Sequence, residues 1–209
     1  MLERNEPVEP VEPGKRRQPA TASGRSVWYD AISAPAFGEV SKGSRSGRPI
    51  VLNLLDILSL KSIKVPLAST EKKAVVFELV DLLAEAKLIS DAEKIKTVVW
   101  EREQQRTTGI GEGLAIPHGK SPAASGLVMA IGRPPEPIDF DAIDKRPVRL
   151  IVLLVSPPEK TADHIQALGR ISRMMSDPKT RLAAYNAESA EDLYKLFEQA
   201  EQSTGAPMA

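Results

Sequence analysis

Leu150-Ile-Val-Leu-Leu-Val155 is the stretch that decides the fold. Six consecutive apolar residues suit a strand buried on both faces, and the run is far too short to cross a membrane as a helix. Such a strand belongs at the centre of a sheet with helices above and below it. Leu127 to Ile131 reads as a second strand. The connection over residues 132–147 is proline-rich and carries Ile138, Phe140 and Ile143. On the C-terminal side, Thr161 is expected to cap a helix with Ile165, Leu168, Ile171 and Met175 inward. Asp177-Pro178 starts a short helix with proline at its first position, and Ser189 with Asp192 starts a last one, burying Leu193, Leu196, Phe197 and Ala200. On the N-terminal side, Ser69 or Thr70 is expected to cap a helix over 71–88, with Val75, Val76, Leu79, Leu82, Leu83 and Ala86 inward. Ser90 with Glu93 forms a capping-box pattern before a helix whose inner face carries Ile95, Val98 and Val99. Ile63 to Val65 reads as a short strand and Asn53 to Leu58 as a turn or short helix. Strands and helices mix within one core, so the expected class is α/β: a single-domain mixed β-sheet flanked by helices.

Composition limits what this domain does. Lys plus Arg equals Asp plus Glu, 28 each, so no strong field points to nucleic acid or to an anionic membrane. There is no cysteine, which removes disulfides, zinc–thiolate sites and cysteine nucleophiles, and suits a cytoplasmic setting. Neither a signal peptide nor a membrane-spanning run is visible. Residues 1–48, rich in Pro, Glu, Ser and Gly, are expected to form a flexible tail, although Trp28, Tyr29 and Phe37 are apolar enough to dock on the body. The domain is then expected over 49–203, followed by a short tail over 204–209.

Chemistry concentrates between Thr107 and Gly119, TTGIGEGLAIPHG. Gly109, Gly111 and Gly113 allow tight turns and leave amides accessible, as phosphate loops do, although a bulged turn has the same composition. The spacing is neither a Walker loop nor a dinucleotide fingerprint. Pro117 and Gly119 frame His118 at a backbone corner, which suits a presented nucleophile and equally a turn histidine bonded to a carbonyl. The chain holds one other histidine, His164, in the first turn of its expected helix, where free amides favour an anion. Arg102 falls seven residues after Ile95, on the inner stripe; its guanidinium must be paired, face a polar cavity, or snorkel from the helix end. A histidine nitrogen is a competent nucleophile toward a phosphoryl group, whose oxygens need compensating charge. Arg102 and His164, with Thr108, Gly109 and Gly111 as phosphate-binding groups, are candidates to supply it. Two histidines are too few ligands for a metal, and no cofactor is expected.

These residues carry a resemblance. Arg102-Glu103, then Thr108-Gly-Ile-Gly-Glu-Gly-Leu-Ala-Ile-Pro-His118-Gly119, resembles the enzyme IIA domains of the bacterial sugar phosphotransferase system, fructose/mannitol class, and among them the nitrogen-regulatory type. Ile138 to Asp144 and His164 to Leu168 fit as well, and the resemblance covers roughly residues 50–200. It implies that His118 takes phosphate from a histidine phosphocarrier protein (HPr-like), with His164 as the second active-site histidine and Arg102 beside the phosphoryl group. In regulatory members the phosphorylation state controls a partner protein; in sugar-transporting members the phosphate passes to a cysteine of a separate enzyme IIB. With neither a cysteine nor a hydrophobic span, the chain is expected to hold no IIB acceptor and no transporter. The N-terminal segment is a departure, since a compact member does not need it.

Overall fold

The computed structural model describes residues 52–205. The expected N-terminal tail, with Trp28, Tyr29 and Phe37, lies outside the described residues. One six-stranded sheet is flanked by helices on both faces, as the sequence predicts. The strands are β1 (Ile63–Lys64), β2 (Gly109–Gly111), β3 (Leu114–Ala115), β4 (His118–Lys120), β5 (Val128–Gly132) and β6 (Leu150–Ser156). The helices are α1 (Lys72–Glu85), α2 (Ala92–Gln105), α3 (Thr161–Ser176), α4 (Pro178–Tyr185) and α5 (Ala190–Gly205).

Every residue of β6 is buried, and its side chains alternate between two apolar layers. Leu150, Val152 and Leu154 join Met129, Ile131, Ile171, Met175, Leu193 and Phe197 on the face covered by α3 and α5. Ile151, Leu153 and Val155 join Val75, Leu79, Leu83, Ile95, Val99 and Phe140 on the face covered by α1 and α2. One edge of β6 pairs antiparallel with β5, which continues parallel to β1. The other edge is shared: β3 runs parallel to Leu150 and Ile151, and β4 parallel to Leu154, Val155 and Ser156. Residues 114–120 therefore track the whole length of β6, and the Leu154 amide bonds to the Pro117 carbonyl at 3.0 Å between the two short strands. β2 closes this edge antiparallel to β3. Among the described residues no helix is long and apolar enough to cross a membrane.

Helix starts differ from expectation in three places. The N-cap of α1 is Glu71, without a side-chain cap bond, rather than Ser69 or Thr70. The Glu78 carboxylate, nearly two turns into the helix, instead accepts from the Ala68 and Ser69 amides. Asp91, not Ser90, caps α2 by accepting from the Lys94 amide, while the Ser90 hydroxyl donates to the Ala123 carbonyl. Thr161 is the first helical residue of α3, its hydroxyl donating to the Pro158 carbonyl. Where Ser, Thr and Asp stand next to one another, composition leaves the cap ambiguous by a residue. Ile165, expected inward, is exposed because the buried face of α3 runs through His164, Ala167, Leu168 and Ile171. The last helix continues to Gly205, past the expected end of the domain.

Gly119 sets how closely α2 approaches the sheet. A Cβ there would lie 2.9 Å from Val99 Cγ2 and 3.1 Å from Val98 Cγ1. Gly119→Ala is expected to cost about 1–3 kcal/mol by overpacking. In urea unfolding followed by Trp100 fluorescence, Val99→Ala should relieve part of that cost, so that the double variant is less destabilised than the two single effects added.

Candidate active site

His118 opens β4 at the end of the sheet where β6 delivers the chain to α3. Crevices beyond the carboxyl ends of parallel strands are where open α/β sheets place their ligands. The ring is half-buried, and its Nδ1 lies 2.8 Å from the Ile116 carbonyl oxygen. A carbonyl only accepts, so Nδ1 carries the hydrogen and donates it. Burial pushes the His118 pKa down, as do the charges of Arg102 and Lys120, against the opposing pull of the Ile116 carbonyl and Glu103. The ring is therefore neutral near pH 7, and its Nε2 bears a free lone pair. The turn-histidine and presented-nucleophile readings thus describe one arrangement: the carbonyl bond fixes the tautomer that leaves Nε2 nucleophilic.

His164 packs edge-on against this ring, with centroids 5.6 Å apart and planes at 62°. It is buried, its Nδ1 lies 2.8 Å from the Ser156 hydroxyl, and its Nε2 is buried without a hydrogen-bond partner. Burial lowers its pKa to about 3, helped by His118 and Lys120. A buried, unsatisfied ring nitrogen costs free energy in the resting protein, which ligand oxygens at the site would recover. Lys120 lies one strand residue beyond Gly119, and its ammonium donates to the Thr161 hydroxyl at 2.9 Å. Nothing in the sequence singles out Ser156 or Lys120: Ser156 reads there as the end of an apolar run, and Lys120 as an ordinary surface charge.

Arg102 and Glu103 exchange the roles the helical pattern assigned. The buried stripe of α2 runs Ile95, Val99, Glu103, so the buried charge is the carboxylate. Glu103 accepts from the Thr108 amide through both oxygens, at 3.1 and 3.0 Å, from the Thr108 hydroxyl, and from the Lys72 ammonium at 2.8 Å. It pins the chain leaving α2 to the start of β2. Arg102 is half-buried, and its Nη1 donates to the Arg106 carbonyl at 2.9 Å, capping the open end of its own helix. Its charge is close enough to act on the His118 ring.

The structure brings His118, His164 and Arg102 to one end of the sheet and does not bring the glycines there. Gly111 pairs with Leu114, which pairs with Leu150, whereas His118 pairs with Leu154. Four residues of register put Gly111 about 13 Å along the sheet from His118. Gly111 and Gly113 instead form a tight turn at positive φ, with a register shift between Gly109 and Gly111, which is the bulged-turn alternative. The Thr108 amide and hydroxyl are taken by Glu103, and the Gly109 amide by the Thr107 hydroxyl at 3.1 Å. The groups placed at the histidine pair that could hold an anion are side chains rather than glycine-loop amides.

The described fold and a neutral histidine pair beside two cations define an α/β protein equipped to hold a phosphoryl group. Residues 56–200 match the family model for the phosphoenolpyruvate-dependent sugar phosphotransferase system, EIIA 2. The chain belongs to that family, whose members are phosphotransferases acting through a phosphohistidine. It is 37% identical over 140 residues to a fructose-specific EIIA component of Haloferax volcanii, covering 67% of this chain and 90% of that protein. It is 30% identical over 148 residues, or 71% of this chain, to the fructose-specific EIIABC component of Bacillus subtilis, of whose length it spans 23%. The nitrogen regulatory protein IIA-Ntr of Neisseria meningitidis superposes with a TM-score of 0.64 at 30% identity, over 69% of this chain and 98% of that one. A complex of mannitol enzyme IIA with phosphorylated enzyme IIB from Escherichia coli shares the fold, at 16% identity and a TM-score of 0.60 over 68% of this chain and 97% of that one.

Two measurements test the electrostatics. The His164 pKa is depressed from 6.5 to about 3 in the folded state, so the unfolded chain binds the extra proton. Stability from this group is complete above pH 6.5 and is lost as pH falls through the window toward 3. Between about pH 7.5 and pH 5 the loss should be about 2 kcal/mol, and urea midpoints of His164→Gln should show a pH dependence smaller by that amount. Glu103→Ala strands the Thr108 amide and leaves Lys72 only its ion pair with exposed Asp141 at 3.5 Å; it is expected to cost about 3 kcal/mol, with Lys72→Met restoring part of it in the double variant.

Proposed function

We propose that His118 Nε2 accepts a phosphoryl group from the phosphohistidine of an HPr-like carrier, and that the phosphorylated and free forms act differently on a partner protein in the cytoplasm. The observation that carries this reading is the 2.8 Å bond from His118 Nδ1 to the Ile116 carbonyl, which leaves Nε2 as the nucleophile. In the transfer, the donor's P–N bond breaks as the bond from phosphorus to Nε2 forms; no proton has to move. The Ile116 carbonyl stabilises the positive charge that spreads to Nδ1–H as Nε2 is consumed. Arg102, Lys120 and His164 compensate the phosphoryl oxygens, and Ser156 orients His164. Likeness to the Neisseria nitrogen regulatory protein across nearly all of its length supports the regulatory reading. Likeness to the Haloferax fructose component favours a second reading, in which the phosphate passes on to a separate enzyme IIB during uptake of a fructose-like sugar.

The test is incubation with phosphorylated carrier, followed by intact-mass measurement and phosphorus NMR. The parent should take up one acid-labile phosphate, assigned to Nε2. His118→Ala should take up none. Arg102→Met should fold like the parent and accept phosphate about a hundredfold more slowly, because it keeps the aliphatic stem and loses the cation. Normal uptake by His118→Ala would remove the central assignment; parental rates for Arg102→Met would restrict that arginine to capping its helix.

A further inference from the structure

The opposite end of β6 carries a second concentration of positive charge that the phosphohistidine chemistry does not use. Arg133 follows the last residue of β5, and Arg149 precedes the first residue of β6. Gly132 pairs with Ile151, so extending the antiparallel register by one residue sets the Arg133 backbone opposite Leu150, at the same end of the sheet as Arg149. Both arginines line a cavity of about 360 Å³, together with Tyr185, Glu136 and the prolines of the 134–137 segment. That volume is within the range of small-molecule pockets.

Neither guanidinium has a carboxylate partner among the described residues. Arg133 Nε is buried with no hydrogen-bond partner, and its Nη1 reaches only the Pro134 carbonyl, at 3.5 Å. Arg149 stacks over the Tyr185 ring, 5.0 Å from its centroid, and its Nη2 donates to the Asn186 side chain at 3.4 Å. The neighbouring acids are engaged elsewhere: Glu112 pairs with Arg146 and Arg181, and Asp144 accepts from the Glu112 amide. Glu136, exposed at the cavity, forms no ion pair with either arginine among the described residues. A buried Nε–H without an acceptor is costly. Both backbones are nevertheless held: the Arg149 amide donates to Gly113 at 2.7 Å, the Arg133 amide donates to Lys64 at 3.2 Å, and the Arg133 carbonyl accepts from Leu67 at 2.9 Å. The backbone at both arginines is thus fixed at the sheet end, with the Arg133 side chain partly buried and that of Arg149 exposed.

We propose that this cavity binds a small phosphate monoester, gripped by the Arg133 and Arg149 guanidinium forks, about 15 Å along β6 from His118. The planar fork matches phosphate oxygens, and the phosphate supplies the acceptor that Arg133 Nε lacks. The site is independent of the chemistry at His118.

The test is amide-resolved NMR of the full chain, titrated with glycerol 3-phosphate and separately with inorganic phosphate, into tens of millimolar, in a buffer free of other multivalent anions. The expected result is a saturable shift at the Arg133, Arg149 and Gly113 amides, at lower concentration for the ester than for inorganic phosphate. Arg133→Met and Arg149→Met should each weaken the ester at least about tenfold, the loss of one charge-assisted contact. Arg133→Lys, which keeps the charge in case the methionine variant unfolds, should bind between the two. His118→Ala should bind like the parent. The proposal is overturned if those amides show no saturable shift, if the shifts persist in well-folded Arg133→Met, or if they centre on His118 and His164 and vanish in His118→Ala. Equal binding of inorganic phosphate and the ester would overturn the monoester assignment and leave a simple phosphate site.

Discussion

The strand Leu150–Ser156 has no solvent face, and that constraint organises the molecule. Seven buried residues in a row need apolar cover on both sides and a paired neighbour on both edges. α1 and α2 supply one cover, α3 and α5 the other. The edge facing β3 and β4 is paired in two pieces, interrupted at Ile116 and Pro117. The Pro117 carbonyl faces β6 and accepts from the Leu154 amide, so by alternation Ile116 faces the other way, its amide on the Thr108 carbonyl and its carbonyl left as the acceptor for His118 Nδ1. The candidate nucleophile's tautomer is therefore a consequence of how one buried strand has its edge satisfied.

A second fixed point lies across the sheet at Glu103. A carboxylate with no exposed side-chain surface survives only because an ammonium, an amide and a hydroxyl are held on it. In meeting that demand, it holds the end of α2 against the start of β2. That in turn sets where Arg102 stands relative to His118. The close approach of α2 at Gly119 acts in the same direction. Two features of packing, neither touching a ligand, thus aim the cation.

The long periodic elements were legible in the sequence because burial repeats along them: LIVLLV, the stripes of α1 and α2, and the proline start of α4. The short strands β2, β3 and β4 were not, since two or three residues cannot display a period. The helical pattern does not separate Arg102 from Glu103, for a physical reason. Two helical turns span about 7.2 residues, so positions seven and eight after Ile95 compete for the inner face, and only tertiary packing chooses between them. His118 stood out through Pro117 and Gly119, but its carbonyl bond depends on the backbone path, which no motif encodes. The glycines suggested a phosphate loop by composition, whereas their positive φ angles serve a turn at the far end of the sheet.

The histidine pair is poised by a balance of desolvation and charge. Burial alone makes both rings neutral, and the nearby cations make them more so. A resting site with cations, neutral imidazoles and an unsatisfied Nε2 has an excess of positive potential and donor capacity. A phosphoryl group offsets both: its oxygens neutralise the cations and can accept a hydrogen bond from His164 Nε2. Its negative charge also raises the pKa of that ring, so protonation becomes easier once phosphate has arrived than before. The same low pKa that keeps His164 neutral in the free protein therefore makes it responsive to phosphorylation. The change of charge and hydrogen bonding falls at the start of α3, beside the exposed Ile165.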